Sequence, residues 1–108
     1  MSDLSSSAVS HLKWLNDFQS ELSLVGVAVL EHKYMLLIMG SFSLVVGNAH
    51  HRIKYEWDGR EFFLNMQECS CQSQSSPQVW HQTKNVRVSQ PEKVEAFIET
   101  HCRETFNA

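Results

Sequence analysis

Residues 52–64 read RIKYEWDGREFFL, and this stretch decides the fold. Arg52, Lys54 and Glu56 alternate with Ile53, Tyr55 and Trp57, the period of a strand with one buried face. Asp58-Gly59 then breaks the alternation with two residues that tolerate positive φ, the mark of a type I′ hairpin turn. A two-residue loop sets the register: Trp57 opposite Arg60, Tyr55 opposite Phe62, and Ile53 opposite Leu64. In that register Arg60 lies over the Trp57 ring, and Glu56 faces Glu61 at a small like-charge cost. Asp58 is read as a turn former rather than a catalytic acid.

On the N-terminal side, the apolar runs Tyr34–Met39 and Phe42–Val46 flank Gly40-Ser41, which fits a type II′ turn with Gly at the first central position. Gly47-Asn48 marks the reversal into the strand at Arg52. Leu24–Leu30 is another β-rich run, and Glu31-His32-Lys33 reads as a turn. A helix is expected from Ser7, its N-cap, to about Leu22. Its inward stripe is Ala8, Leu12, Leu15, Phe18 and Leu22, with Trp14 beside Phe18. Residues 1–6 are polar and expected to be mobile.

On the C-terminal side, 67–78 (QECSCQSQSSPQ) reads as a mobile polar loop. Val79–Val88 should hold the last strand or a short hairpin. Ser89–Glu92 has the S-x-x-E form of a capping box, with Pro91 in the first turn. The helix that follows carries the stripe Val94, Phe97, Ile98, Cys102 and Phe106. The expectation is therefore an α+β fold in a single domain over 1–108. A meander sheet of about five or six antiparallel strands is flanked by an N-terminal and a C-terminal helix packed on one face.

The totals bound the function. The chain has 108 residues, enough for one core without metal or disulfides. Nine Lys and Arg against twelve Asp and Glu give a net charge of −3, which disfavours nucleic acid as a partner. Lys33, Arg52, Lys54 and Arg60 leave room for a local basic patch only. Three cysteines, Cys69, Cys71 and Cys102, do not make a secreted disulfide framework and point to a reducing, cytoplasmic setting. The first ten residues lack the charge and apolar pattern of a signal peptide. The longest uncharged piece, Tyr34–Ala49, is too short and too polar for a membrane span.

The run at 34–46 is apolar on both sides. Met35, Leu37, Met39, Phe42, Leu44 and Val46 share one face; Tyr34, Leu36, Ile38 and Val45 share the other, relieved only by Ser43. An exposed antiparallel strand should alternate with polar residues. Tyr34, Leu36, Ile38 and Val45 are therefore the candidate interface, for a second copy of the chain or another protein. The alternative is a strongly twisted sheet that closes on itself.

The reactive groups are sparse. Cys69 and Cys71, with His81, could begin a soft-metal site, to which His50 or His51 could add; the second close cysteine pair of structural zinc sites is missing. Trp57, Trp80 and His81, with Tyr55, could line a ligand pocket, although core packing is the ordinary role of such aromatics. His101 and Cys102 are adjacent on a helix and point about 100° apart, so they cannot face each other as a catalytic pair. No phosphate loop, nucleophile elbow or zinc-protease motif occurs. The reading is a small cytoplasmic, non-enzymatic interaction module of adaptor, chaperone-like or toxin-neutralising type, homodimeric, with no cofactor and no nucleic-acid or membrane partner. The alternative is a small-ligand or metal-binding domain using the Cys69–His81 loop.

Overall fold

The computed structural model describes residues 3–35, 40–70 and 79–106, the side chains of 3–7 excepted. The elements are α1 (Asp3–Ser23), β1 (Ala28–Met35), β2 (Ser41–Gly47), β3 (His51–Asp58), β4 (Phe63–Ser70), β5 (His81–Arg87), a 3-10 turn (Pro91–Lys93) and α2 (Val94–Phe106). The five strands form one antiparallel meander in the order β1-β2-β3-β4-β5. Both helices cover one face. There Phe42, Leu44, Val46, Ile53, Tyr55, Trp57, Leu64 and Met66 meet Phe18 and Leu22 of α1 and Val94, Ile98 and Cys102 of α2. Full burial of each large apolar side chain stabilises the fold by roughly 1.5–3 kcal/mol before entropy is counted.

The central hairpin forms, in a different register. Trp57 pairs with Leu64 and Tyr55 with Met66, each four positions from the expected partner. The loop is Gly59–Phe62 rather than Asp58-Gly59. The Asp58 carboxylate accepts from the Arg60 and Glu61 amides at 2.9 and 3.1 Å, which satisfies a helical turn. The Phe62 N–H then donates to the Asp58 carbonyl at 2.9 Å, and Phe62, not Gly59, takes the left-handed conformation (φ 61°). A displacement of four is even, so Ile53, Tyr55 and Trp57 keep their inward face. The Arg60–Trp57 and Glu56–Glu61 pairings do not form; Glu56 lies opposite Asn65.

Strand β1 departs further. Leu24 and Val25 lie in the turn that closes α1. Gly26 (φ 74°) donates to the Ser23 carbonyl, and Val27 donates to the Leu22 carbonyl at 3.1 Å. This is a Schellman cap with Gly at the left-handed position, closed by burial of Leu22 against Val27. The strand starts later as a result and runs straight through Glu31-His32-Lys33, the expected turn. Leu30 is the extra residue of a bulge.

Met35 pairs with Ser41, so the register expected from a Gly40-Ser41 turn does not form. Tyr34 consequently faces Phe42 and lies on the helix-covered side, opposite to its expected face. Leu36 and Ile38 lie outside the described residues.

Three smaller corrections follow from packing. In α1 the inward stripe is His11, Trp14, Leu15, Phe18 and Leu22, whereas Leu12 is 52% exposed. Helix α1 begins at Asp3, one turn before Ser7. Gln67–Ser70 belong to β4 rather than to the polar loop, because they complete the pairing with β3. At the last helix Gln90, not Ser89, is the N-cap of the 3-10 turn, with no side-chain cap bond; Pro91 sits at its first turn. The stripe Val94, Phe97, Ile98, Cys102 and Phe106 packs inward as expected.

Candidate functional site

Among the described residues, no helix lies over the second face of the sheet. Alternation from the paired strands gives it Glu31, Lys33 and Met35 of β1, Ser41, Ser43 and Val45 of β2, and Arg52, Lys54 and Glu56 of β3. Strand β4 adds Phe63, Asn65, Gln67 and Cys69, and β5 adds Asn85 and Arg87. Among the described residues this face is therefore mostly polar. Val45 is buried there (5% exposed), flanked by its cross-strand neighbours Glu31 and Lys54.

At the end of the sheet near the β3–β4 hairpin, this face opens into a groove of about 650 Å³. It is lined by Met35, Ser43, Glu56, Arg60, Phe63 and Asn65, among others. Glu56 Oε1 accepts long hydrogen bonds from Asn65 Nδ2 and Gln67 Nε2, both 3.4 Å. Asn65 Oδ1 is buried with no hydrogen-bond partner among the described residues. The Arg87 guanidinium covers the Phe63 ring at 4.9 Å. The groove thus offers carboxylate and amide groups with Arg60 at its rim. It is suited to holding polar groups by hydrogen bonds and ion pairs.

Two polar clusters lie on the covered face. At the junction of α1, β1 and α2, His11 Nδ1 is 3.1 Å from Glu95 Oε2, and His11 Nε2 is 2.8 Å from His32 Nε2. Burial, then the neighbouring His11, holds His32 below the ordinary imidazole value. Burial, then Glu95, pushes the Tyr34 hydroxyl up. Further along, the Tyr55 hydroxyl lies 2.7 Å from His101 Nδ1 and donates to Cys102 Sγ at 3.3 Å. Burial pushes the Tyr55 hydroxyl far up, with Cys102 adding to the shift, and pushes the Cys102 thiol to about 11. His101 is held down, chiefly by burial. A thiol kept protonated and fully buried is a poor nucleophile.

The expected site residues scatter. Tyr34 is on the helix side, stacked on His11 at 4.7 Å between ring centroids. Val45 is on the open face. Trp57 is in the core, next to Phe62. Trp80 lies under the Lys54 ammonium, 4.5 Å from its ring centroid. His81 pairs with Glu68 and so shares its face, whereas Cys69, the next residue in β4, points to the opposite one. Cys71 lies outside the described residues. No cluster of three or more His, Cys, Asp or Glu among the described residues is placed to hold a metal ion. His50 precedes β3 and His51 opens it, their amides bonded to Asn48 Oδ1, and His51 Nε2 meets Glu68 at 2.7 Å.

Sequence reading missed His11, His32 and Glu95. The available signal was that His11 falls on the same helical face as Leu15, Phe18 and Leu22. The chain matches no family model, no curated protein and no solved structure.

Proposed function

We propose that the protein is a small non-enzymatic association module of the reducing cytoplasm, and that it pairs with a second copy of itself through the open face of the sheet. The supporting observation is that face: one side of the sheet carries both helices, while the other carries a groove and, among the described residues, no helix. A two-fold contact brings the same patch against itself, so the patch must be self-complementary. This one carries both signs of charge, with Lys33, Lys54, Arg60 and Arg87 beside Glu31, Glu56, Asp58 and Glu61. Adaptor, chaperone-like and toxin-neutralising roles all need such a surface.

The edges of the sheet support association by faces rather than by strand pairing. β1 carries the Leu30 bulge and Lys33; β5 carries a bulge at Thr83 and the cations Lys84 and Arg87. Bulges and charges blunt edge-to-edge pairing.

Native mass spectrometry over a dilution series tests the reading, with Ser43→Arg as the probe variant. Ser43 sits mid-strand on the open face between Lys33 and Glu56, so the larger side chain leaves the core alone. A dimer that Ser43→Arg weakens by about tenfold or more supports it; tenfold is about 1.4 kcal/mol. A wild-type monomer at every concentration overturns it, as does a dimer indifferent to the substitution.

A second reading, small-ligand binding, draws on the buried Asn65 Oδ1 in the groove, which has no hydrogen-bond partner among the described residues. It calls for a ligand that donates a hydrogen bond to that oxygen. Loss of a thermal-shift response in Asn65→Leu would identify such a ligand's site.

A further inference from the structure

The contact between α1 and β1 includes, beside its apolar packing, a hydrogen-bonded chain of ionisable groups completed by Glu95 of α2. His11 is 5% exposed. Its ring lies against Tyr34 and Phe42, with centroids 4.7 and 4.4 Å away, and beside Trp14 at 5.5 Å. The Glu95 carboxylate can only accept, so the proton of that bond sits on His11 Nδ1. The remaining nitrogen, Nε2, is 2.8 Å from His32 Nε2.

A gap of 2.8 Å between two ring nitrogens holds one proton. Either nitrogen can donate it, but not both. With His11 Nδ1 already protonated, the neutral pair can take one more proton, on His32 Nδ1. A second added proton would set two N–H bonds head to head at hydrogen-bond distance. The unfolded chain carries no such restriction and can protonate both imidazoles in mild acid.

We propose that the Glu95–His11–His32 chain is an acid-triggered latch: a second added proton breaks the His11–His32 contact and releases α1 from the β1 edge while the rest of the sheet stays paired. Among the described residues, the groups that face the pair are few. Helix α2 contributes Glu95. Strand β1 contributes the Tyr34 hydroxyl, and β2 contributes only Phe42. Trp14 of α1 is committed to Glu99, to which its Nε1 donates at 2.6 Å. One carboxylate therefore stands against two imidazolium charges.

The sign follows from His32. Its folded value lies below the ordinary 6.5, so as pH falls the unfolded or released form takes the proton first. The contact contributes fully above pH 6.5 and is lost as pH falls from there toward the folded value. One proton of difference changes the opening equilibrium by about tenfold per pH unit. His101 is also held down and adds a dependence of the same sign, so the pair must be isolated by difference.

Native-state hydrogen exchange at pH 7.5 and 5.5, corrected for intrinsic rates, makes that comparison on wild type and His32→Gln. The glutamine amide can donate to His11 Nε2 but does not titrate. In wild type, α1 amides should lose roughly tenfold in protection relative to α2 at the lower pH; in His32→Gln the relative protection should not change. An equal loss in the variant overturns the proposal, as does loss in α1 and α2 together. Imidazole ¹⁵N resonances of the wild type read the same event without a substitution. Uptake of one proton by the pair, with the second accompanying movement of α1 resonances, supports the latch. Full protonation of both rings with α1 still docked overturns it.

Discussion

Tyr55 shows how much a single side chain can organise. It projects from the middle of β3, is fully buried, and places one hydroxyl against both His101 and Cys102 of α2. Two neighbours on a helix point about 100° apart and cannot face each other. A hydroxyl arriving between them reaches both, so the adjacent pair is joined by a third residue rather than by direct contact. All three groups are held in their neutral forms, which makes the cluster a structural tie between sheet and helix. Tyr55→Phe should lower stability by about 1–2 kcal/mol, because it removes a buried hydrogen bond and leaves partners unmet. Urea unfolding would read this as a lower midpoint with an unchanged slope.

At the scale of elements, the junctions between helix and strand carry the specificity. The α1 cap depends on Gly26, whose φ of 74° penalises a side chain even though open space surrounds it. Gly26→Val should cost about 1–2 kcal/mol, while Gly26→Asn should cost clearly less, since Asn tolerates the left-handed region. Equal losses, measured by thermal unfolding, would mean that the cap does not set the end of α1. The β3–β4 loop gives a contrasting case. There the Asp58 side chain does the capping, and a bulky Phe62 accepts the left-handed position, kept there by its packing beside Trp57.

Across the whole molecule, the two helices are tied to each other by polar contacts and to the sheet by burial. Arg103 reaches Glu21 at 2.6 Å, but both side chains are about half exposed. Ile98 is fully buried between α2 and the sheet. Ile98→Ala should therefore cost roughly 2–5 kcal/mol, and Arg103→Ala far less. Chemical denaturation of the two variants checks this order, and a reversal would mean that the interhelical ion pair, not the core, holds α2 in place.

Much of the architecture was readable because its cues are local. The alternation of Ile53, Tyr55 and Trp57, the spacing of Val94, Ile98 and Cys102, and the order helix, meander, helix all depend on residues close in the chain. Facing survived at the central hairpin because its register error was even. It failed at Tyr34, which pairs with Phe42 and so packs against the helix-covered core instead of the open face. Register depends on which of several competing turns closes, and Gly26 and Asp58 decided that through hydrogen bonds a linear pattern does not display. The polar chain at His11 was beyond local reading for a simpler reason. His11 and Glu95 are 84 positions apart, and only the packing of α1, β1 and α2 on one face brings their side chains within hydrogen-bond distance.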